Sequence, residues 1–251
     1  MFYEKPRFLA GGDKAFSIEF GNAITPELSR QVRRLLLSVQ NMRIPGVIET
    51  VPAYRSLLIY YDPLETSPLE LRDRLETLEQ SAEDSEFPRP TVTEIPTVYG
   101  KEYGPDLEFV AKHNGLSPEE VVRIHTSNTY LIYMLGFIPG FAYLGGMPSR
   151  IATPRLGTPR SRIPDGSVGI AGSQTGIYPA ESPGGWQLIG RTPIELFHPH
   201  KEPPVLLQTG NHVVFVRITP QEFTRVKKEV QQGTYRVKEI PVARKSERRD
   251  I

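Results

Sequence analysis

Three segments in the second half of the sequence combine glycine and proline with side chains that could bind a ligand. Glycine lets the backbone approach a ligand closely, and proline holds a loop in shape before the ligand arrives. The first segment, residues 135–146, reads LGFIPGFAYLGG and carries Phe137, Phe141 and Tyr143. Aromatic rings on a rigid loop could form the wall of a pocket or fill the core beneath the loop, and composition favours neither interpretation.

The second segment, residues 158–179, places two arginines beside a run of small polar residues. It reads TPRSRIPDGSVGIAGSQTGIYP and contains Arg160 and Arg162. Arginine binds a carboxylate or phosphate through two parallel hydrogen bonds, and the peptide N–H groups of GSVG or GSQTG could hold the oxyanion of an attacked carbonyl. Either role requires an anionic or amide substrate, and the alternative for each arginine is an ion pair at the surface.

The third segment, residues 182–193, nearly matches a phosphate-binding loop. It reads SPGGWQLIGRTP, so that Gly185 and Gly190 have the spacing of that motif and Arg191 stands where the motif has lysine. The motif also requires a helix immediately afterwards, and here Pro193 follows a run of apolar residues in strand-like order. We therefore predict a strand that carries Trp186, the single tryptophan of the chain.

His125 is the candidate general acid or base. It ends a predicted helix and lies 11 residues before Gly136, the first glycine of segment 135–146. Histidine titrates near neutral pH without a large perturbation, which suits proton transfer, although a histidine that caps its helix end explains the position equally well. His198 and His200 lie in the proline-rich run FHPHKEPP, where we predict a surface pair rather than a metal site.

Composition limits the classes of protein to which the chain can belong. It has 251 residues, 30 basic and 29 acidic side chains, and no cysteine. Balanced charge argues against a nucleic-acid or anionic-membrane partner, and the absence of cysteine excludes disulfides, thiol nucleophiles and thiolate metal sites. The 24 prolines and 21 glycines predict many turns and strands and argue against a helical bundle. With no apolar signal segment or membrane-spanning run, we expect a cytoplasmic protein.

Residues 1–90 are predicted to form a small α+β two-layer domain. Strand patterns at 14–20, 47–52 and 55–61 alternate with two helix patterns, one after Thr25-Pro26 and one after the capping box Ser67 to Glu70. The order β-α-β-β-α suggests a sheet covered by helices on one side. The polar, acidic run at 81–90 is the predicted linker.

Residues 91–251 are predicted to form a mainly-β barrel or sandwich. A strand at 91–99 precedes two short helices, the second of which follows the capping box Ser117 to Glu120. From residue 136 to 193 short apolar runs alternate with glycine and proline, which is typical of short strands joined by tight turns. A third capping box, Thr219 to Glu222, opens a last helix, and the charged run ARKSERRD is predicted to be a frayed tail.

The three glycine-rich segments, in this order, resemble the allophanate hydrolase subunit 1 family, which includes the B-type subunit of the ATP-dependent 5-oxoprolinase and the kinase inhibitor KipI. The resemblance extends upstream through IPTVYGKEYGPDLEFVAKHNG and covers nearly the whole chain. It implies a cyclophilin-like barrel behind the small α+β domain, a homologous second subunit (the C-type subunit, of the allophanate hydrolase subunit 2 kind), and a third subunit. It further implies that the complex opens 5-oxoproline to glutamate at the expense of ATP, with the ATP site not assigned to a particular chain.

Two other activities are compatible with the same resemblance. One is a KipI-like inhibitor that docks on a sensor histidine kinase. The other is the carboxyltransferase half of a biotin-dependent amide carboxylase, in which the biotin would be carried by another polypeptide because this chain lacks an attachment motif. The discriminating outcomes are glutamate release, a change in kinase autophosphorylation, and carboxyl transfer, respectively.

Carried over position by position, the resemblance implies a site with an aromatic wall and a polar side. His125 would be the catalytic residue. The residues expected to bind substrate are Phe137, Pro139, Gly140, Phe141, Tyr143, Arg160, Ser167, Gln174, Thr175, Tyr178, Trp186 and Arg191. No metal ligand is predicted.

Overall fold

The structure is a computed structural model, and it describes residues 1–81 and 89–242. It divides into two compact units, Met1–Pro88 and Arg89–Ile251. Most of the predicted linker and the whole predicted charged tail lie outside the described residues. No helix in the described ranges is long and apolar enough to cross a membrane.

The first unit contains an antiparallel sheet of four strands in the order β1-β2-β4-β3. The strands are β1 (Phe2–Ala10), β2 (Ala15–Gly21), β3 (Val47–Pro52) and β4 (Ser56–Tyr61). The sequence did not reveal β1, because its run FYEKPRFLA carries charges and a proline and lacks a clear apolar alternation. Its position at the sheet edge tolerates that composition, since an edge strand needs only one hydrogen-bonded neighbour.

Two helices pack on this sheet through a shared apolar core. Helix α1 (Pro26–Met42) begins where the Thr25 hydroxyl accepts a hydrogen bond from the amide of Leu28 at 3.2 Å. Helix α2 (Pro68–Ser81) follows a reciprocal cap between Ser67 and Glu70. The core contains Ile18, Leu28, Val32, Leu35, Leu57, Ile59, Leu71 and Leu75.

The second unit is a closed barrel of seven strands, which confirms the mainly-β prediction. The strands of this unit are β5 (Thr91–Tyr99), β6 (Thr129–Leu135), β7 (Ala142–Gly145), β8 (Arg160–Ile163), β9 (Ser167–Ala171), β10 (Gln174–Ile177), β11 (Ser182–Gly184), β12 (Gln187–Arg191), β13 (His212–Arg217) and β14 (Glu239–Pro241). The barrel order is β12-β9-β10-β7-β6-β13-β5, and β12 pairs with β5 to close the ring. All of these pairs are antiparallel except β13 with β5. Outside the ring, β8 pairs with β11, and β14 pairs with the first residues of β5.

Within residues 89–242, three α-helices accompany the barrel. Helix α3 (Leu107–His113) is short, and helix α4 (Pro118–Thr126) begins with the predicted capping box of Ser117 and Glu120. Helix α5 (Pro220–Gln231) begins with the equivalent box of Thr219 and Glu222 and places Phe223 and Val226 in the core. Each box satisfies two backbone donors at a helix start, and this local chemistry explains why these helix starts could be predicted from sequence.

Candidate functional site

The three glycine-rich segments meet on one side of the barrel. Strand β7, from the first segment, pairs with β10, from the second, through Leu144 and Thr175. Strand β8, from the second segment, pairs with β11, from the third, through Ile163 and Ser182. Segments that are separate in sequence are therefore neighbours in the fold.

At this meeting point the aromatic side chains pack against one another. The ring of Phe141 lies 5.0 Å from Tyr143, 5.5 Å from Tyr178 and 5.5 Å from Trp186, each in an edge-to-face arrangement. Ile163 and Leu188 complete this small core. Of the two interpretations left open for Phe137, Phe141 and Tyr143, core packing describes Phe141, which is buried together with Tyr178 and Trp186.

Phe137, Pro139 and Gly140 occupy the loop above this aromatic core. Phe137 and Pro139 are exposed, and the Phe137 ring lies 5.6 Å from that of Phe141. Gly140 is buried with φ of 82°, and a side chain there would meet Cβ of Phe197 at 2.8 Å. The glycine is therefore needed both for its backbone conformation and for close packing.

Each of the three arginines in these segments has a carboxylate partner. Nη2 of Arg160 donates to Oδ1 of Asp106 at 2.7 Å, and its Nη1 is 3.4 Å from the carbonyl oxygen of Trp186. Arg162 pairs with Glu181 at 2.7 Å and Arg191 pairs with Asp165 at 2.5 Å. The ion-pair alternative therefore describes all three, which leaves less of each guanidinium for a ligand.

Asp106 is a structural residue that the sequence did not single out. Its Oδ2 accepts a hydrogen bond from the amide of Leu188 at 2.6 Å, and its own amide donates to the carbonyl oxygen of Leu188 at 2.9 Å. Together with the Arg160 pair, these bonds join the start of α3 to β12 and β8. Nothing local marks Asp106, since its partners lie 54 and 82 residues away.

His125 lies inside the barrel, where no side-chain surface is exposed. Its Nδ1 is 2.8 Å from the hydroxyl of Tyr99, its Nε2 is 2.9 Å from Oγ1 of Thr175, and Oγ1 of Thr175 donates to the carbonyl oxygen of Gly169 at 3.0 Å. Because Thr175 has a single hydroxyl proton, Oγ1 accepts from Nε2–H of His125, and Nδ1 accepts from the Tyr99 hydroxyl.

Burial lowers the pKa of His125 from 6.5 to about 3, so the imidazole is neutral at physiological pH. Its ring packs 4.4 Å from that of Phe215 and 5.4 Å from that of Tyr130. A general acid or base must reach the substrate and exchange a proton near the working pH. The geometry of His125 is instead that of a histidine that ties a helix to barrel strands.

The remaining predicted residues belong to barrel strands. Ser167 is buried in β9 opposite Arg191, and its carbonyl oxygen accepts from the amide of Tyr178 at 2.9 Å. Gln174, half-buried, begins β10. Residues 187–191, which belong to the near-match to a phosphate-binding loop, form β12. That strand has no helix start at which phosphate could bind.

A cleft on this unit, which we call the α5 cleft, lies beside these loops. Its volume is about 560 Å³, against 390 and 370 Å³ for two further clefts of this unit. It is lined by Asp165, Gly166, Pro179, Ala180, Glu181, Pro193, Ile194, Glu195, Phe197, His198, Lys201, Lys227, Val230, Gln231 and Gly233. None of the predicted site residues lines it, but Pro179 and Phe197 pack against Gly140 and Asp165 holds Arg191.

Among the described residues, the charges around the α5 cleft leave one ammonium group, that of Lys227, without a carboxylate. Asp165, Glu181 and Glu195 are each paired, the last with Lys201 at 3.1 Å. Lys227 lines the cleft from α5 and is half-buried, and no ion-pair partner for it occurs in the described part of the chain. An unpaired cation beside the apolar surfaces of Ile194 and Phe197 suits a small ligand that has a carboxylate and an apolar body.

Sequence comparison connects the chain with a described family. The family model of the carboxyltransferase domain, subdomain C and D, matches residues 6–207. The chain is 50% identical over 229 residues to the B-type subunit of 5-oxoprolinase from Bacillus subtilis (strain 168), covering 87% of this chain and 95% of that protein. It is 42% identical over 205 residues to the equivalent protein from Escherichia coli O157:H7, covering 82% and 93%. A urea amidolyase of Saccharomyces cerevisiae is 26% identical over 90% of this chain and 14% of that protein.

Solved structures give the same result at the level of the fold. TTHA0988 has 38% identity and a TM-score of 0.74, and the match covers 82% of this chain but only 40% of that one. PH0987 from Pyrococcus horikoshii has 47% identity and a TM-score of 0.52 over 86% of this chain and all of that one. Kluyveromyces lactis urea carboxylase, at 20% identity, has a TM-score of 0.78 over 96% of this chain and 25% of that one, and shows the fold alone.

Proposed function

Because the chain belongs to the family of the carboxyltransferase domain, subdomain C and D, we propose that it is the B-type subunit of an ATP-dependent 5-oxoprolinase. The observation that carries the proposal is identity of 50% and 42% to proteins named as that subunit, over 95% and 93% of their lengths. The complex would add one water across the lactam C–N bond of 5-oxoproline to give glutamate. Hydrolysis of ATP to ADP and phosphate would drive the reaction.

The ligand site proposed for this chain is the α5 cleft. 5-Oxoproline has a carboxylate, a lactam amide and two ring carbons that carry only hydrogen. The ammonium of Lys227 would bind the carboxylate, and the apolar surfaces of Ile194 and Phe197 would contact the ring. Pre-formed loops stiffened by Pro179 and Pro193 would lower the entropy that is lost when the ligand binds.

Catalysis is proposed to require further subunits. In the described part of the chain, the predicted acid–base residue His125 is buried and has both ring nitrogens hydrogen-bonded. A homologous C-type subunit and a third subunit would supply the missing reactive groups. ATP would bind elsewhere in the complex than at residues 185–192, since β12 occupies most of that stretch. The complex would work in the cytoplasm, where ATP is available.

Reconstitution tests the proposed function. The chain, the C-type subunit and the third subunit are mixed with ATP and 5-oxoproline, and glutamate and ADP are measured together. We expect glutamate from the full set and none when this chain is omitted or is present alone. Equal glutamate formation with and without this chain would contradict the proposal.

The urea amidolyase relative supports one alternative, the carboxyltransferase half of a biotin-dependent amide carboxylase. At 26% identity, and with this chain spanning only 14% of that protein, the support is weaker than for 5-oxoprolinase. Transfer of labelled carboxyl from a carboxybiotin carrier protein to urea, with no glutamate from 5-oxoproline, would favour the alternative.

A further inference from the structure

His198 lines the α5 cleft together with Lys227, and both side chains are half-buried. The sequence predicted a surface pair at His198 and His200, but only His200 is exposed. The remaining charged and amide side chains that line the cleft are all exposed: Asp165, Glu181, Glu195, Lys201 and Gln231. A polar group that is partly withdrawn from water loses stability unless a new partner replaces the water. The partners of His198 and Lys227 are therefore the informative ones.

The backbone at His198 is fixed by the loop that surrounds it. The amide of His198 donates to the carbonyl oxygen of Pro204 at 2.8 Å, and its carbonyl oxygen accepts from the amide of Lys201 at 3.1 Å. One residue earlier, Phe197 and Val205 form an antiparallel bridge. The imidazole is therefore attached to a backbone that is held in place without a ligand.

A hydrogen bond from the backbone also determines which ring nitrogen of His198 carries the proton. The amide of His200 donates to Nδ1 of His198 at 3.2 Å, so Nδ1 is an acceptor and the proton of the neutral ring lies on Nε2. Within residues 1–81 and 89–242, Nε2 has no hydrogen-bond partner. The half-buried imidazole thus has an unused N–H donor at the α5 cleft.

The two half-buried donors of the cleft match the two acceptors of the proposed ligand. 5-Oxoproline has a carboxylate on one ring carbon and a carbonyl oxygen on another, and both carbons are bonded to the ring nitrogen. The ammonium of Lys227 suits the carboxylate, because a charged donor forms its strongest hydrogen bonds with a charged acceptor. The neutral N–H of His198 suits the neutral amide oxygen.

We infer that His198 determines specificity for a lactam carbonyl in the α5 cleft, by donating its Nε2–H to the carbonyl oxygen. The inference rests on the proposed function for the identity of the ligand. It adds a criterion that Lys227 alone does not supply, because an ammonium group binds small carboxylates with or without a carbonyl on the ring. A fixed donor for the carbonyl disfavours the analogue that lacks this group, since the donor is then left unpaired.

The experiment compares two ligands of the assembled complex by calorimetry at pH 8, without ATP. One is 5-oxoproline, and the other is cyclopentanecarboxylate, which has a carboxylate on a five-membered carbon ring and no ring carbonyl. His198→Asn removes Nε2–H, while its amide oxygen can still accept from the amide of His200. His198→Gln is the rescue variant, because its longer side chain can place an amide N–H near the position of Nε2.

Two further variants serve as controls. His200→Asn changes an exposed residue that does not line the cleft, and it keeps the backbone amide that bonds to His198. Lys227→Gln removes the group that is proposed to bind the carboxylate, which both ligands have.

We expect His198→Asn to raise the dissociation constant of 5-oxoproline about 10-fold, as loss of one hydrogen bond at a partly buried site does. The constant of cyclopentanecarboxylate should not change, because this ligand has no acceptor for Nε2–H. His198→Gln should restore part of the affinity for 5-oxoproline. His200→Asn should change neither constant, and Lys227→Gln should raise both.

Three outcomes would overturn the inference: a wild-type complex that does not bind 5-oxoproline, unchanged binding of 5-oxoproline by His198→Asn, or equal weakening of both ligands by His198→Asn. The last result would indicate that the ring only supports the loop. Because the measurement needs no turnover, it separates the inference from the proposed function. Glutamate formation by a complex in which His198→Asn binds normally would refute the inference alone. Selectivity that depends on His198, without glutamate formation, would refute the proposed activity alone.

Discussion

His125 shows how burial changes the chemistry of a single side chain. In the sequence it is the residue best suited to proton transfer at neutral pH, and in the fold its two nitrogens are bonded to Tyr99 and Thr175. With a folded pKa of about 3 and an unfolded value of 6.5, the protonated form is strongly disfavoured in the native state. The residue thus makes the stability of the fold dependent on pH.

We predict that the second unit loses stability as the pH falls below 6.5. The unfolded chain binds a proton at His125 near pH 6.5 while the folded chain does so only near pH 3, so acid favours the unfolded state. The contribution of neutral His125 to the free energy of unfolding is fully present above pH 6.5, and about 2 kcal/mol of it is lost between pH 7 and pH 5. Urea unfolding followed by the fluorescence of Trp186, the sole tryptophan, measures this unit.

The matched variants are His125→Gln and His113→Gln. The first should lower stability at pH 7 and also remove most of the change between pH 7 and pH 5. The second alters an exposed histidine and should leave the pH dependence intact. An unchanged pH dependence in His125→Gln would show that other groups cause it.

The residues with reactive side chains could be recognised from sequence, but their partners could not. Arg160 and Arg191 stand out as charges beside small residues, whereas Asp106 lies 54 residues before Arg160 and carries no local signal. The sequence indicates Lys227 only as part of a helix, because its position at the α5 cleft depends on how α5 packs on the barrel. Side-chain chemistry is local, while burial and pairing are properties of the fold.

At the scale of elements, helix starts and strands with local signals were predictable, and closure of the barrel was not. The capping boxes at Ser117 and Thr219 each act within four residues, so the sequence contains all of their chemistry. Closure joins β5 to β12 through Gly190 opposite Tyr99, a contact between residues 91 positions apart. Composition left barrel and sandwich equally open, because both need short strands and tight turns.

Closure depends on glycines where backbones approach each other. A Cβ on Gly104 would lie 2.0 Å from the carbonyl oxygen of Ile189 in β12, far inside normal contact distance. The backbone after β5 can therefore lie against β12 only if residue 104 has no side chain. This close approach of the two backbones also positions Asp106, whose amide donates to the carbonyl oxygen of Leu188 at 2.9 Å.

We predict that Gly104→Ala destabilises the barrel by about 3 kcal/mol, because the added methyl group forces β12 away from its partner. Gly157→Ala is the control, since nothing lies within 4 Å of a Cβ at that position. Urea unfolding followed by Trp186 fluorescence again measures the effect. Equal stability of the two variants would mean that the backbone at residue 104 can move without cost.

At the scale of the whole molecule, the chain consists of a small sheet-and-helix unit and a closed barrel, and the family match runs from residue 6 to residue 207 across both. The glycine-rich segments that carried the family resemblance do meet in the fold, on a packed aromatic core. The α5 cleft lies next to that core, and it is lined by sequence neighbours of the predicted residues. The predicted residues therefore lie beside the cleft that we propose as the ligand site, and none of them lines it.

The ligand chemistry proposed for this protein depends on the α5 cleft binding a small carboxylate through Lys227. The dissociation constant of 5-oxoproline for the assembled complex tests this, determined by calorimetry for the wild type, Lys227→Gln and Lys228→Gln. Lys228 is the neighbour of Lys227 on α5 and does not line the cleft. Lys228→Gln therefore changes the net charge by the same amount, on the same helix, as Lys227→Gln. We expect Lys227→Gln to raise the constant about 10-fold or more, as loss of a charge-assisted hydrogen bond does, and Lys228→Gln to leave it unchanged. Equal constants for all three proteins would contradict binding through Lys227.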